Sequence, residues 1–399
     1  MDPDLPAIEG GKPERKGFLV FGEPSIGKEE ISEVVKTLKS GWIGTGPKTI
    51  AFEKALAAHI GSKHCVSVNS CTAALHLSLI ALGIKDNDEV ITTPMTFAAT
   101  ANVILQERAK PVFSDIDRET MNIDPQKIAE KITPKTRAIM PVHFAGQPCD
   151  MDSIMKIAKE NNLSVIEDAA HAVGAEYHGK KIGTIGDLTC FSFYPNKNMT
   201  TIEGGAVTTE KTEWAENIAS NRLHGLSKDA WQRYSSKKLI ISEAIYPGYK
   251  YNMTDVQASL GLHQLKKLDG FIKKREELAE LYNKELKGTE GITLPKEISG
   301  IKHARHLYII LLDLEKLKIE RNDFVSALRA ENIGAGIHYT PIHIHPYYRK
   351  TFGFKKGDFP NAEHIGERTV SLPLQPGMEK EDVKGTANAV KKIISYYKK

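Results

Sequence analysis

The chain reads as an α/β protein built on a mostly parallel sheet. Three observations point there. Short β-branched runs alternate with helical patterns through the first two-thirds of the chain, the arrangement of repeated βαβ units. The runs are apolar nearly throughout, as in ValIleThrThrPro (Val90–Pro94) and AlaIleMetProVal (Ala138–Val142), which suits strands covered on both faces. The composition is that of an ordinary globular protein: 399 residues, 41% hydrophobic, 26% charged and a net charge of +4. Those values exclude a disordered, collagen-like or coiled-coil chain.

Taken in order, residues 1–17 (MDPDLPAIEGGKPERKG) carry acidic and proline residues and no apolar h-region, so they read as a flexible arm rather than a signal peptide. Seven strands are predicted at His64–Asn69, Glu89–Pro94, Pro111–Asp117, Arg137–Phe144, Leu163–Asp168, Thr189–Phe193 and Gly205–Thr209. Helices are predicted between them at Thr72–Leu82, Pro125–Ile132, Met151–Asn161 and Trp214–His224. Ser227–Tyr251 is polar and irregular, a long connection of the kind that often carries function. Thr254 with Gln257 three residues on is a capping-box pattern, and Val256, Leu260, Leu265 and Leu268 recur at helical spacing, so a long helix runs to about Leu286. A smaller α/β unit follows: strand His306–Leu312, helix Asn322–Glu331, strand Gly336–Tyr339 and a terminal helix Lys380–Tyr397.

The interspersed charges leave no basic footprint for nucleic acid. No apolar run approaches the roughly 18 residues of a membrane span. Cys65, Cys71, Cys149 and Cys190 form no CxxC pair and no metal-ligand spacing, so no metal is expected, and reduced thiols in a cytoplasmic protein are the simplest reading.

Open α/β sheets bind ligands at the carboxyl ends of their strands. Four features fall there. In ValSerValAsnSerCysThrAlaAla (Val66–Ala74) a strand gives way to a helix beginning near Thr72, and a helix N-terminus with hydroxyls suits a phosphate. No GxGxxG or Walker lysine accompanies it. In ValIleGluAspAlaAlaHis (Val165–His171) the carboxylate of Asp168 ends a strand of buried residue types. In CysPheSerPheTyrProAsnLysAsn (Cys190–Asn198) an aromatic strand turns at Pro195 and presents Lys197, five residues after Ser192. Desolvation there lowers a lysine's pKa toward a usable amine nucleophile. Phe97, in Thr92–Asn102, follows a strand end and could stack on a flat ring. Each feature alone has a plainer explanation: a helix cap, a capping Asp, a solvated lysine, a core aromatic. Together they supply a phosphate cradle, an anion for a pyridinium, an amine for an aldehyde and a stacking ring, which are the requirements of pyridoxal 5'-phosphate.

GlyTrpIleGlyThrGlyPro (Gly41–Pro47), GluAspAlaAlaHis, PheSerPheTyrProAsnLysAsn with GluGlyGly (Glu203–Gly205) and GlyTyrLysTyrAsnMetThrAsp (Gly248–Asp255) resemble the DegT/StrS-type sugar aminotransferases from about Phe18 to the C-terminal helix. HisGlyLeu…AspAlaTrp (His224–Trp231) and GlyTyrLysTyrAsn look most like the UDP-4-amino-4-deoxy-L-arabinose–oxoglutarate aminotransferase branch. The resemblance implies a PLP-dependent transferase of fold type I: a large cofactor domain over 18–255, then a linking helix and small domain over 256–399. It also implies a homodimer with shared active sites. By motif, Lys197 becomes the Schiff-base lysine and Asp168 the partner of the pyridine nitrogen. Thr72, Ala73 and Ser192 would bind the phosphate, Phe97 would stack on the ring, and His171 would lie near the ring hydroxyl. Lys250 or Asn252 would reach the neighbouring subunit's cofactor phosphate; which of the two stays open. Trp42, His338 and Tyr339 would lie near the sugar. Cys71 stands where relatives often carry Gly or Ala. Relatives that dehydrate sugars carry histidine in place of the lysine, so Lys197 argues for transamination. The implied reaction moves the amino group of L-glutamate to a 4-keto sugar nucleotide, UDP-linked. The alternatives are a 3-keto, GDP- or dTDP-linked sugar, or a ketocyclitol. A non-catalytic sugar-nucleotide binder or transcription regulator is the competing class, and Lys197 with no added helix-turn-helix segment argues against it.

Overall fold

The structure, a computed structural model, describes residues 5–226, 243–296 and 298–399. The AspAlaTrp triplet (Asp229–Trp231) and most of the polar connection after Leu226 therefore lie outside the described residues. Seven strands form the main sheet: β1 (His64–Val68), β2 (Glu89–Thr92), β3 (Lys110–Phe113), β4 (Thr136–Met140), β5 (Ser164–Asp168), β6 (Leu188–Ser192) and β7 (Gly205–Thr209). Their order is β1-β7-β6-β5-β4-β2-β3, and only β7 runs against its neighbours. The reason is covalent. Residues 193–204 between β6 and β7 hold no helix, and a chain that short returns antiparallel because a parallel partner needs a crossover. Lys197 sits on this return.

Side chains alternate across the sheet, as period two requires. Ile91, Ile139, Val165 and Phe191 enter one core with Phe52 and Leu56 of α2 (Pro47–Ile60), Ile154 of α6 (Met151–Glu160) and Leu268 and Ile272 of α8 (Asp255–Leu286). Their neighbours Val90, Ala138, Met140, Ile166 and Cys190 enter the opposite core with Leu75 of α3 (Cys71–Ala81), Val103 of α4 (Ala98–Gln106) and Ile218 of α7 (Thr212–Asn221). Helix α8 begins at the capping box: Thr254 Oγ1 accepts from Gln257 N–H (3.3 Å) while Gln257 Oε1 accepts from Thr254 N–H (2.9 Å). It leaves the first core and supplies Leu278, Tyr282 and Leu286 to a third. There it meets a three-stranded antiparallel sheet, β8 (Ile292–Thr293), β9 (Tyr308–Leu312) and β10 (Thr369–Leu372), with helices α9 (Arg321–Ala330) and α12 (Lys380–Tyr397). None of the described helices is long and apolar enough to cross a membrane.

Two expectations need correction. Gly336–Tyr339 is no strand: only Gly336 bridges Ser371. A Cβ on Gly336 would lie 3.0 Å from His338 Cε1 and 3.3 Å from Phe21 Cζ, so this segment is shaped around two rings and not around a ladder. The third strand of that sheet is ThrValSerLeu (Thr369–Leu372), too short and polar for its pattern to stand out. The N-terminal arm is also not loose where it is described. Glu331, fully buried, accepts from Ala7 N–H and Glu14 N–H (2.7 Å each), and Arg15 pairs with Asp382 (2.7 Å).

Candidate active site

Asp168 is the last residue of β5, and its backbone is fixed on both sides: its N–H donates to Pro141 O (2.9 Å) and its carbonyl accepts from His143 N–H (3.1 Å). The side chain is buried. Oδ2 accepts from Thr100 Oγ1 (2.8 Å) and Oδ1 from Ala170 N–H (3.2 Å). Burial raises its pKa; Thr100, Ala170 N–H, Lys197 and His143 restrain the rise by favouring the anion. Directly behind it, His143 and Glu167 form an entirely buried pair (2.8 Å). Cys149 N–H donates to His143 Nδ1 (3.0 Å), so the ring proton lies on Nε2 and faces Glu167.

Lys197 follows β6 on a turn closed by its own N–H to Tyr194 O (3.0 Å). It is half-buried, and its Nζ lies 3.4 Å from His306 Nε2. Burial pushes its pKa down to about 8, against the upward pull of Cys71 and Asp168. The start of α3 is closed by Ser70 Oγ, which accepts from Ala73 N–H (3.1 Å), while Thr72 is exposed beside it. Gly205 brings this turn to Ser192. It pairs in register with both Val68 and Ser192, and a Cβ there would stand 2.6 Å from Ser70 C and 2.7 Å from Cys71 N. Thr72, Ala73 and Ser192 thus converge through a glycine.

The other predicted residues close the same space. His171 Nε2 meets Tyr339 Oη (3.2 Å), and its Nδ1 is buried without a partner. His338 Nδ1 meets Ser371 Oγ (2.8 Å), and its ring stacks on Phe21 (centroids 5.7 Å, 26°). Burial, then the charge of Lys197, pushes the pKa of His338 down to about 3 and that of His171 well below its usual range. Phe97 precedes α4 and is 63% exposed, its ring 6.3 Å from that of Tyr339. Exposure excludes a core role and leaves the face free.

Trp42, from the glycine-rich segment, is placed elsewhere: its indole N–H donates to Thr45 O (3.1 Å) and its ring lies over Gly46. Asn252 Nδ2 donates to Thr45 Oγ1 (2.7 Å), and Lys250 is exposed. Among the described residues none of these three touches Lys197 or Asp168. Tyr249 and Tyr251 stack on each other (5.1 Å) and against His76, which leaves Lys250 facing outward. Sequence reasoning missed His306, Thr100 and Phe21 as site residues. His306 stood at the head of a predicted strand with nothing local to mark it.

The DegT/DnrJ/EryC1/StrS aminotransferase family model matches residues 24–391. The chain belongs to this family. It is 59% identical to MJ1066 of Methanocaldococcus jannaschii over 96% of this chain and 99% of that protein. It is 51% identical to SpsC of Bacillus subtilis, a spore coat polysaccharide biosynthesis protein, over 95% of this chain and 98% of SpsC. Among solved structures, Spr1654 of Streptococcus pneumoniae, named as a sugar aminotransferase, matches in its PMP-form with a TM-score of 0.89 and 34% identity, over 95% of this chain and 99% of that one; it is also solved in a PLP-form.

As a member of this family the enzyme is a PLP-dependent sugar aminotransferase. Its residues fit the cofactor. His171 Nδ1, Asn196 Oδ1, Asn198 Oδ1 and His306 Nδ1 are buried polar atoms without partners, all clustered about Lys197 or its contacts. Such atoms cost about 1–3 kcal/mol each when left bare, so their grouping near Lys197 leaves hydrogen-bonding capacity for a bound group. The donor set is also right: an amine, a buried carboxylate opposite, and a helix start with a hydroxyl.

Proposed function

We propose that this enzyme moves the amino group of L-glutamate to the C4 carbonyl of a UDP-linked 4-keto sugar, yielding a 4-amino sugar nucleotide and 2-oxoglutarate. The observation that carries the reading is Lys197, an amine held near pKa 8 in the space that Asp168 closes. The kinship with SpsC, a polysaccharide biosynthesis protein, and the GlyTyrLysTyrAsn motif (Gly248–Asn252) point the substrate toward activated sugars.

In this reading Thr72, Ala73 and Ser192 hold the phosphate, Phe97 covers one face of the ring, and His171 lies beside the ring hydroxyl. Pyridoxal phosphate, when bound, supplies an electron sink for the pair released at the donor's α-carbon. Asp168 keeps the ring nitrogen protonated, and its Thr100 bond holds it as the anion needed for that. Lys197 takes the α-proton onto Nζ and later returns it, a role that needs a neutral amine. At pH 7 a pKa of about 8 leaves roughly a tenth of the amine neutral, against roughly one part in 3,000 for an ordinary lysine. His338 and Tyr339 face the sugar. In a homodimer Lys250 or Asn252, neither of which meets its own chain's Lys197, reaches the neighbouring subunit's cofactor phosphate, and Trp42 lies near the sugar.

The test is spectroscopic. The pyridoxamine form is mixed with UDP-, GDP- and dTDP-linked 4-keto sugars, 3-keto sugars and free ketocyclitols, and reversion of the spectrum is followed. Fastest reversion by a UDP-4-keto sugar is expected. Reversion only by a free ketocyclitol would overturn the substrate. Lys197→Ala should lose turnover and borohydride-fixed cofactor mass; retaining both would refute the assignment of the amine.

A further inference from the structure

His306 has no part in the roles above, yet among the described residues it is the side chain within hydrogen-bond distance of the Lys197 amine. Its backbone is pinned on both sides of the ring: the N–H donates to Ala145 O (3.0 Å), and the carbonyl accepts from Arg275 Nη1 (3.3 Å). The ring is 4% exposed, with Nε2 3.4 Å from Lys197 Nζ and its centroid 4.4 Å from that of His171. Among the described residues His171 makes no hydrogen bond to the amine; its Nε2 meets Tyr339 Oη.

We propose that His306 is a further catalytic residue of this aminotransferase, whose Nε2 accepts a hydrogen bond from Lys197 and holds that amine as an ammonium between its two proton transfers. This rests on the amino-transfer reading above. When Lys197 removes the donor's α-proton, a C–H bond breaks and an N–H bond forms, and the amine becomes a cation with three donors to satisfy. The neutral imidazole takes one of them. When the proton is returned to carbon, Lys197 is neutral again and His306 is unchanged. The groups facing the amine are Asp168, Cys71, His171 and His338, and those facing His306 are Lys197, His171, Arg275 and His338. Burial first, then the charge of Lys197, keep the His306 pKa well below its usual range, so the ring stays an acceptor through the cycle. With Nε2 accepting, the ring proton is on Nδ1, the atom left without a protein partner.

The experiment compares wild type with His306→Phe and His306→Gln. In the apoprotein, competitive acetylation of Lys197 against pH, read by mass spectrometry, reports the amine directly. The Phe variant strips the ammonium of its acceptor, so the Lys197 pKa should fall below about 8 by about half a unit to one unit. In the loaded enzyme, the donor half-reaction should slow by about 100-fold with KM for the donor within about threefold. The Gln variant, whose amide oxygen can accept, should recover most of both. Should Phe prevent folding, His306→Asn, whose amide stops short of Lys197, replaces it. An unchanged Lys197 pKa and rate in the variants would overturn the proposal, as would kcat and KM losses of equal size with no pKa change. A wild type inert toward every keto sugar would sink the substrate reading and leave the apoprotein titration to decide on His306.

Discussion

Gly205→Ala is a one-carbon change that should cost the enzyme its cofactor. The added Cβ would stand 2.6 Å from Ser70 C and 2.7 Å from both Cys71 N and Ser70 O, where ordinary contact begins near 3.4 Å. All three atoms are backbone, so no side chain can swing away, and the first turn of α3 must retreat by roughly 0.7–0.8 Å. Neighbouring β1 and β6 hold Gly205 in register with Val68 and Ser192, so the strand cannot yield instead. A shift of that size misaligns the N–H and hydroxyl donors proposed to hold the phosphate. Losing the equivalent of one charge-assisted hydrogen bond costs about 1.5–3 kcal/mol, or about 10- to 150-fold in affinity. Overpacking costs the fold a further 1–3 kcal/mol or so, which a urea midpoint would register. The assay is titration of the apoprotein with pyridoxal phosphate, followed by absorbance, with Gly17→Ala as control because nothing lies within 4 Å of its Cβ. A folded Gly205→Ala protein that binds the cofactor within threefold of wild type would show that the cradle does not depend on this close approach.

Thr100→Val removes the donor to Asp168 Oδ2, so the Asp168 pKa should rise further and cofactor affinity fall about tenfold, measured by the same titration above and below neutral pH. His171, His303, His306 and His338 all have depressed folded-state pKa values, chiefly from burial. The unfolded chain therefore takes up protons below about pH 6.5 that the folded state refuses, and stability is lost as pH falls, by up to about 1.4 kcal/mol per pH unit per histidine. For His338 the loss continues down to about pH 3. Urea midpoints at pH 7.5 and 5.5 should separate clearly; equal midpoints would contradict it. Glu331→Ala leaves half-buried Lys392 without its carboxylate and bares two N–H groups of the arm, at a cost of about 1–3 kcal/mol, and trypsin should then cut at Lys12 or Lys16 before global unfolding. An arm as resistant as wild type would mean the clasp is not what holds it.

Much of the molecule could be read from local pattern. Periodicity located all seven strands of the main sheet to within a few residues, and the capping box placed the start of α8, because both signals are written in consecutive side chains. Asp168, Lys197 and Phe97 were legible for the same reason, each standing where an apolar run stops. Helices α1 (Lys28–Lys39) and α2 were not, since the glycine-rich Gly41–Pro47 between them masks their ends. What folding alone decided is which distant groups share a space. Thr100 on α4 reaches Asp168 on β5, and His306 beyond α8 reaches Lys197 on the β6–β7 return. Gly205 reads as a glycine of close approach in GluGlyGly, but only the packing shows that what it approaches is the start of α3. Such contacts depend on how sheets and helices pack across long sequence separations, and burial, which sets the Lys197 and histidine pKa values, exists only once that packing has excluded water.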